Sequence, residues 1–162
     1  MSCLRSLETP VRIEGLVEHG FGRGSTSLGF PTANLDASSS ESLSVFLKSS
    51  ECTDGVYIGW ATIDGEKEVY KAAVSVGVNP TFEDSRVRLL EAHLLDYSGP
   101  NFYGGKLRLI LVAFIRESKK FDSLDELKKA IWDDCELARV WLEKTRNQLN
   151  DLGVSMFLHG KD

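Results

Sequence analysis

The sequence predicts a mainly β fold: an antiparallel barrel or sandwich with one long helix at its C-terminal end. Three observations carry this. Segments rich in β-branched and aromatic residues recur between turn signals. They follow one another at hairpin-length intervals without alternating helices, which argues against a parallel sheet. A helical period emerges once, near the C-terminus. The 162 residues fit a single domain, 1–162, with its core over roughly 11–143 and a tail over 148–162.

In chain order, "VRIEGLVE" (Val11–Glu18) reads as a strand leading into a glycine-rich loop. Residues 36–54, "DASSSESLSVFLKSSECTD", read as a long polar loop, a surface excursion or disordered segment with a short apolar patch at Leu43–Leu47. "GVYIGWATI" (Gly55–Ile63) is a second strand, ended by the turn signal "DGE". "EVYKAAVSVG" (Glu68–Gly77) is its expected hairpin partner. "VRLLEAHLLDY" (Val87–Tyr97) and "KLRLILVAFIR" (Lys106–Arg116) are expected to pair with each other across "SGPNFYGG". "FDSLDELKKAIWDDCELARVWLEKTRNQL" is the helix. Ser123 and Glu126 have capping-box spacing, and Leu124, Leu127, Ile131, Ala138 and Trp141 mark its apolar face. Trp132 and Trp141 read as core or rim residues.

Net charge is −5, with no Lys/Arg cluster to offset it, so sequence-independent nucleic-acid binding is not expected. Cys3, Cys52 and Cys135 are far apart and odd in number, which fits neither a disulfide framework nor a zinc site and suits a reducing, cytoplasmic compartment. The N-terminus lacks an apolar run of signal-peptide length, and no run approaches membrane-spanning length.

Candidate chemistry gathers in three places. "EHGFGRGSTSLGFPTANLD" (Glu18–Asp36) offers backbone N–H groups at Gly20, Gly22, Gly24 and Gly29, with Arg23 among them. Pro31 forbids the helix a Rossmann fingerprint needs, and the GK[ST] of a P-loop is missing. Behind the glycines, Thr32 and Asn34 project to one side of an extended chain, and two neutral oxygens suit a hard cation that phosphate and water complete. The plainer alternative is a turn in which both bond their own backbone. In "RLLEAHLLDY", alternation puts Leu89, Glu91, His93 and Leu95 on one face. A carboxylate flanked by leucines is costly to bury unless it is paired or functional, so Glu91 is a candidate general base and His93 its competitor. Arg116, Lys119 and Lys120 stand near Phe121, as a solvated loop or as a cradle for a planar anionic ligand.

Together "GFGRGSTSLGFPTAN", "DGVYIGWA", "KAAVSVGVNPTF", "EAHLLDY", "NFYGGKLRL" and "KFDSLDEL" resemble riboflavin kinase (flavokinase) of the monofunctional eukaryotic type, in that family's order from Val11 to Glu143. The resemblance implies a six-stranded antiparallel Greek-key β-barrel with a C-terminal helix packed on it. It implies transfer of the γ-phosphate of ATP to the 5′-hydroxyl of riboflavin, giving FMN and ADP. Its nucleotide contacts fall on Gly20, Gly22, Arg23, Gly24, Thr26, Thr32, Leu94, Asp96 and Tyr103. Its metal ligands fall on Thr32 and Asn34, for Mg²⁺ with Mn²⁺ and Zn²⁺ as alternatives. Its catalytic carboxylate falls on Glu91, and its flavin contacts on Arg116, Lys119 and Phe121. The family often has Arg-Pro-Glu where this chain has Arg116-Glu117-Ser118, a change expected to loosen the flavin-side loop. Ten residues precede Val11, too few for the adenylyltransferase domain fused to bacterial members, so FMN rather than FAD is the expected product. Two rival readings are a flavin-binding barrel without catalysis and an oligonucleotide-binding barrel. The metal pair and Glu91 argue against the first, the acidic charge against the second. The expected partners are small molecules, with neither nucleic acid nor membrane, acting on a monomer.

Overall fold

A computed structural model describes residues 4–18, 32–78, 88–100, 102–151 and 157. Six strands form a closed antiparallel barrel: β1 (Arg5–Glu18), β2 (Ala33–Leu35), β3 (Gly55–Ile63), β4 (Tyr70–Val78), β5 (Arg88–Leu94) and β6 (Lys106–Glu117), ordered β1-β2-β5-β4-β3-β6. β3, β4 and β5 follow one another as a meander, and β6 returns beside β3, which is the Greek-key connection. The hairpin of β3 and β4 is as the sequence predicts. The predicted pairing of β5 with β6 is not. β5 lies between β2 and β4, and β6 between β1 and β3. Closing the barrel gives both strands partners from distant sequence, and a link as short as 95–105 does not reveal this.

Alternation along the strands makes two apolar layers. Ile13, Leu35, Val74, Val76, Leu90, Leu107 and Leu109 fill the barrel. Val56, Ile58, Trp60, Ile110, Val112 and Ile115 face outward, where helix α2 (Leu124–Lys144) covers them with Cys135, Ala138 and Leu142. Every residue of β3 is therefore buried, because both of its faces are covered. Ser123 caps α2, its Oγ accepting from Glu126 N at 3.1 Å, while Glu126 Oε2 accepts from Asp122 N at 3.1 Å. Leu124 was expected on the apolar face but is 66% exposed. The first turn of α2 projects past the wall, and the face that packs includes Asp134 and Leu142 instead. Trp141 packs on the wall and Trp132 is exposed. A short α3 (Gln148–Asp151) follows, its Leu149 packed against the same layer.

Residues 36–54 are not a plain polar loop. They contain helix α1 (Glu41–Lys48), whose Leu43 and Leu47 join the barrel interior. The serine run that reads as disorder serves a strand edge. β2 is three residues long and pairs with β1 at Val17 and Glu18, so among the described residues the rest of that edge has no ladder partner. Ser39 Oγ accepts from Leu16 N at 2.8 Å, Ser42 Oγ accepts from Glu14 N at 3.1 Å, and Ser40 Oγ donates to Glu14 O. Side-chain hydroxyls thus take the place of a strand. Ser40 also caps α1, accepting from Leu43 N at 3.2 Å. Gly15 permits the approach: a Cβ there would stand 3.1 Å from a Leu43 methyl and 3.2 Å from Ser39 Oγ.

Candidate active site

The site lies on the outer face of the barrel, not inside it. Cross-strand partners in a sheet point to the same face, and one row runs Glu18, Asn34, Glu91, Ser75, Val56, Arg116 across β1, β2, β5, β4, β3 and β6. A cavity of about 410 Å³ opens over the middle of this row, between the wall and α2. Thr32, Glu91, His93, Arg116, Phe121 and Asp134 are among the residues lining it.

At one end, Thr32 Oγ1 donates to Glu91 Oε2 at 3.4 Å, a long bond, and Asn34 stands directly opposite Glu91 in the ladder. Thr32, Asn34 and Glu91 therefore share one face as an all-oxygen set. Such a set suits a hard divalent cation, with phosphate and water oxygens completing the shell. Among the described residues no three His, Cys, Asp or Glu side chains converge as a metal cluster. Burial raises the Glu91 carboxyl above its usual value, with the Thr32 hydroxyl bond pulling the other way. Burial and then the Arg139 charge lower His93, so its imidazole is neutral at physiological pH. His93 Nδ1 lies 3.3 Å from Cys135 Sγ, whose thiol burial pushes up to about 11.

At the other end, Arg116 is held in a fork by Asp134 of α2: Nε donates to Oδ1 at 3.0 Å and Nη2 to Oδ2 at 2.8 Å. Burial raises the Asp134 carboxyl and the guanidinium offsets part of that rise. Arg116 and Lys119 also flank the Phe121 ring, at 5.6 and 5.1 Å from its centroid. The replacement of proline by Glu117 does not free this segment as expected. β6 continues to Glu117 opposite Gly55, and Ser118 N donates to Asp54 O at 3.2 Å.

The structure thus brings together Thr32, Asn34 and Glu91, and separately Arg116, Lys119 and Phe121, on one wall. Leu94 departs from expectation: its side chain is buried in the barrel interior, away from the cavity. Asp96 sits in a turn with φ 61° and pairs with Arg139 of α2 at 3.2 Å. Tyr103 is 47% exposed in the turn before β6. That turn is stitched to the end of β1 by Gly104 N donating to Val17 O at 2.7 Å. Gly20, Gly22, Arg23, Gly24 and Thr26 lie outside the described residues. Sequence reasoning missed Asp134. The signal was a carboxylate three residues from Ile131 and four from Ala138, on the apolar face of its helix.

The riboflavin kinase (flavokinase) family model matches residues 7–142. The chain belongs to the riboflavin kinase family. A riboflavin kinase of Pyricularia oryzae is 36% identical over 149 residues, spanning 83% of this chain and 72% of the relative. The crystal structure of riboflavin kinase from Trypanosoma brucei is similar with a TM-score of 0.67 at 26% identity, over 90% of this chain and 88% of that one. A macrolide-efflux protein of Streptococcus pneumoniae is similar over 80% of this chain, at 33% identity and a TM-score of 0.64. The chain spans only 38% of that molecule, whose activity as a whole is its own. Membership makes this protein an enzyme, an ATP:riboflavin 5′-phosphotransferase (EC 2.7.1.26), with ATP and riboflavin as substrates and FMN and ADP as products.

Proposed function

We propose that Glu91 accepts the proton of the riboflavin 5′-hydroxyl while Thr32 and Asn34 hold the divalent cation that accompanies ATP. The carrying observation is the outer-face row. It sets Asn34 and Glu91 side by side at one end and Arg116 at the other, three strand spacings from Glu91, or about 14 Å. That distance suits a flat three-ring system carrying a five-carbon polyol. Arg116, Lys119 and Phe121 take the ring, and Glu91 meets the far hydroxyl.

Phosphoryl transfer asks a protein mainly for positioning and charge neutralisation. The backbone N–H groups of Gly20, Gly22 and Gly24 bind the phosphates, with Arg23, Thr26 and Tyr103 as further nucleotide contacts. A bound Mg²⁺, or Mn²⁺ or Zn²⁺ in its place, supplies charge neutralisation at the phosphate oxygens. Glu91 orients the attacking hydroxyl and takes its proton late, and its raised pKa makes it a better base than a solvated carboxylate. Helix α2 covers the wall and limits water around the transferred group. His93, neutral and turned toward Cys135, supports the wall.

The same reading makes the protein a cytoplasmic monomer acting on small molecules without nucleic acid. The helices described include none long and apolar enough to cross a membrane. The test is incubation with riboflavin and ATP, with and without Mg²⁺, following FMN chromatographically. Metal-dependent FMN formation is expected. FMN formation at full rate in a strong chelator would overturn the metal role, and its absence under all conditions would overturn the activity.

A further inference from the structure

The floor of the cavity is β4, and the function assigned above uses nothing on it. The residues of β4 that line the cavity are Ala73 and Ser75, and Gly77 follows on the same face of the strand. Their small side chains leave a trough between the Glu91 and His93 wall on β5 and the Val56 and Arg116 side. Val74 and Val76, on either side of Ser75, are fully buried in the barrel, whereas Ser75 is exposed. Its hydroxyl lines the cavity, and among the described residues it has no hydrogen-bond partner. In the cross-strand row Ser75 stands directly beside Glu91 and two strands from Arg116.

We propose that Ser75 is a specificity-determining residue that recognises the polyol chain of the flavin through its hydroxyl. The inference rests on the reading that riboflavin lies along the row from Arg116 to Glu91. A ligand in that pose places its ring near Arg116 and its terminal hydroxyl at Glu91. The stretch above Ser75, one strand spacing of about 4.8 Å from Glu91, is then the middle of the polyol, where secondary hydroxyls both donate and accept. A serine does the same, so one contact serves either polarity. The trough has room for the chain because Ala73 and Gly77 present nothing larger than a methyl group.

The experiment compares two ligands by flavin fluorescence: riboflavin, and lumiflavin, which keeps the ring and replaces the polyol by a methyl group. Ser75→Ala should weaken riboflavin binding about three- to tenfold, the worth of one hydrogen bond, and leave lumiflavin binding unchanged. Ser75→Thr keeps the hydroxyl on a strand-compatible side chain and should retain riboflavin affinity within about twofold. Unchanged riboflavin affinity in Ser75→Ala, or an equal loss for both ligands, would overturn the inference. Arg116→Ala is measured alongside. If it weakens neither ligand, the pose itself fails. If it weakens both while Ser75→Ala affects neither, the pose stands and only the role of Ser75 is lost.

Discussion

Glu91→Gln separates chemistry from stability. The substitution keeps the shape of the side chain and its bond to Thr32 but cannot accept a proton near neutrality. If Glu91 is the base, kcat should fall by about two to four orders of magnitude, the usual span of a positioned acid–base group. Stability should move the other way. Burial raises the Glu91 carboxyl above its unfolded value, so its ionisation opposes folding. A raised folded pKa means that stability is fullest below the unfolded value and declines as pH rises through the folded one. The glutamine variant should therefore be more stable than the parent at pH 7–8 and lose that advantage as pH falls towards 4.5, the unperturbed value. Each tenfold by which burial disfavours the charged form is worth about 1.4 kcal/mol, and 1 kcal/mol moves Tm by about 2–4 °C in a chain of this size. A rise in Tm is expected at pH 7.5, vanishing towards pH 4.5. The assays are single-turnover phosphorylation and thermal unfolding across pH, with His93→Gln as control because it shares the strand face. A nearly active Glu91→Gln beside an inactive His93→Gln would give the role to the histidine. Two active variants would mean that positioning suffices without a side-chain base.

Three further outcomes are expected. Asn34→Ala and Thr32→Ala should raise the half-saturating Mg²⁺ concentration more than they weaken riboflavin binding; Mg²⁺ titration with fluorescence-measured flavin affinity checks this, and an unchanged titration in both removes them from the metal site. Asp134→Asn should weaken flavin binding much as Arg116→Ala does, and the double variant should fall short of the summed effects because the two act as one unit; a binding cycle that is additive would separate them. Leu43→Ala should cost about 2–5 kcal/mol, read by denaturant unfolding, whereas Val45→Ala, 61% exposed on the same helix, should change little; equal effects would remove α1 from the barrel end.

What the sequence disclosed tracks how local each feature is. β3 is an unbroken apolar run because both of its faces are covered, and its predicted limits match the structure. β4 and β6 differ by a residue or two at their ends. β2 escaped notice because three residues carry no period; it is seen only through the Thr32 and Asn34 spacing that suggested a ligand face. α1 escaped because serine content was read as disorder, while in the fold those hydroxyls complete the β1 edge. The pairing of β5 was misjudged because barrel closure is set by global packing rather than by link length. Asp96, expected in line with the strand, turns away at positive φ.

Two carboxylates face the cavity from apolar surroundings, and their partners decide what each can do. Asp134 is clamped by two charge-assisted bonds from Arg116, so its charge is balanced and its position fixed. Burial raises its carboxyl as well, but taking up a proton would break the pair and strand the guanidinium, so the pairing works against a role as base. Among the described residues Glu91 has one long bond, from the neutral hydroxyl of Thr32, and desolvation is the larger influence on it. Its charge is compensated by no cation among its described partners, so a proton or a nearby metal ion improves its situation. The same sequence signal, an acid on an apolar face, thus marks a structural anchor on the helix and a reactive group on the strand. The difference lies in a cation eighteen residues away in sequence from one, with none beside the other among the described residues.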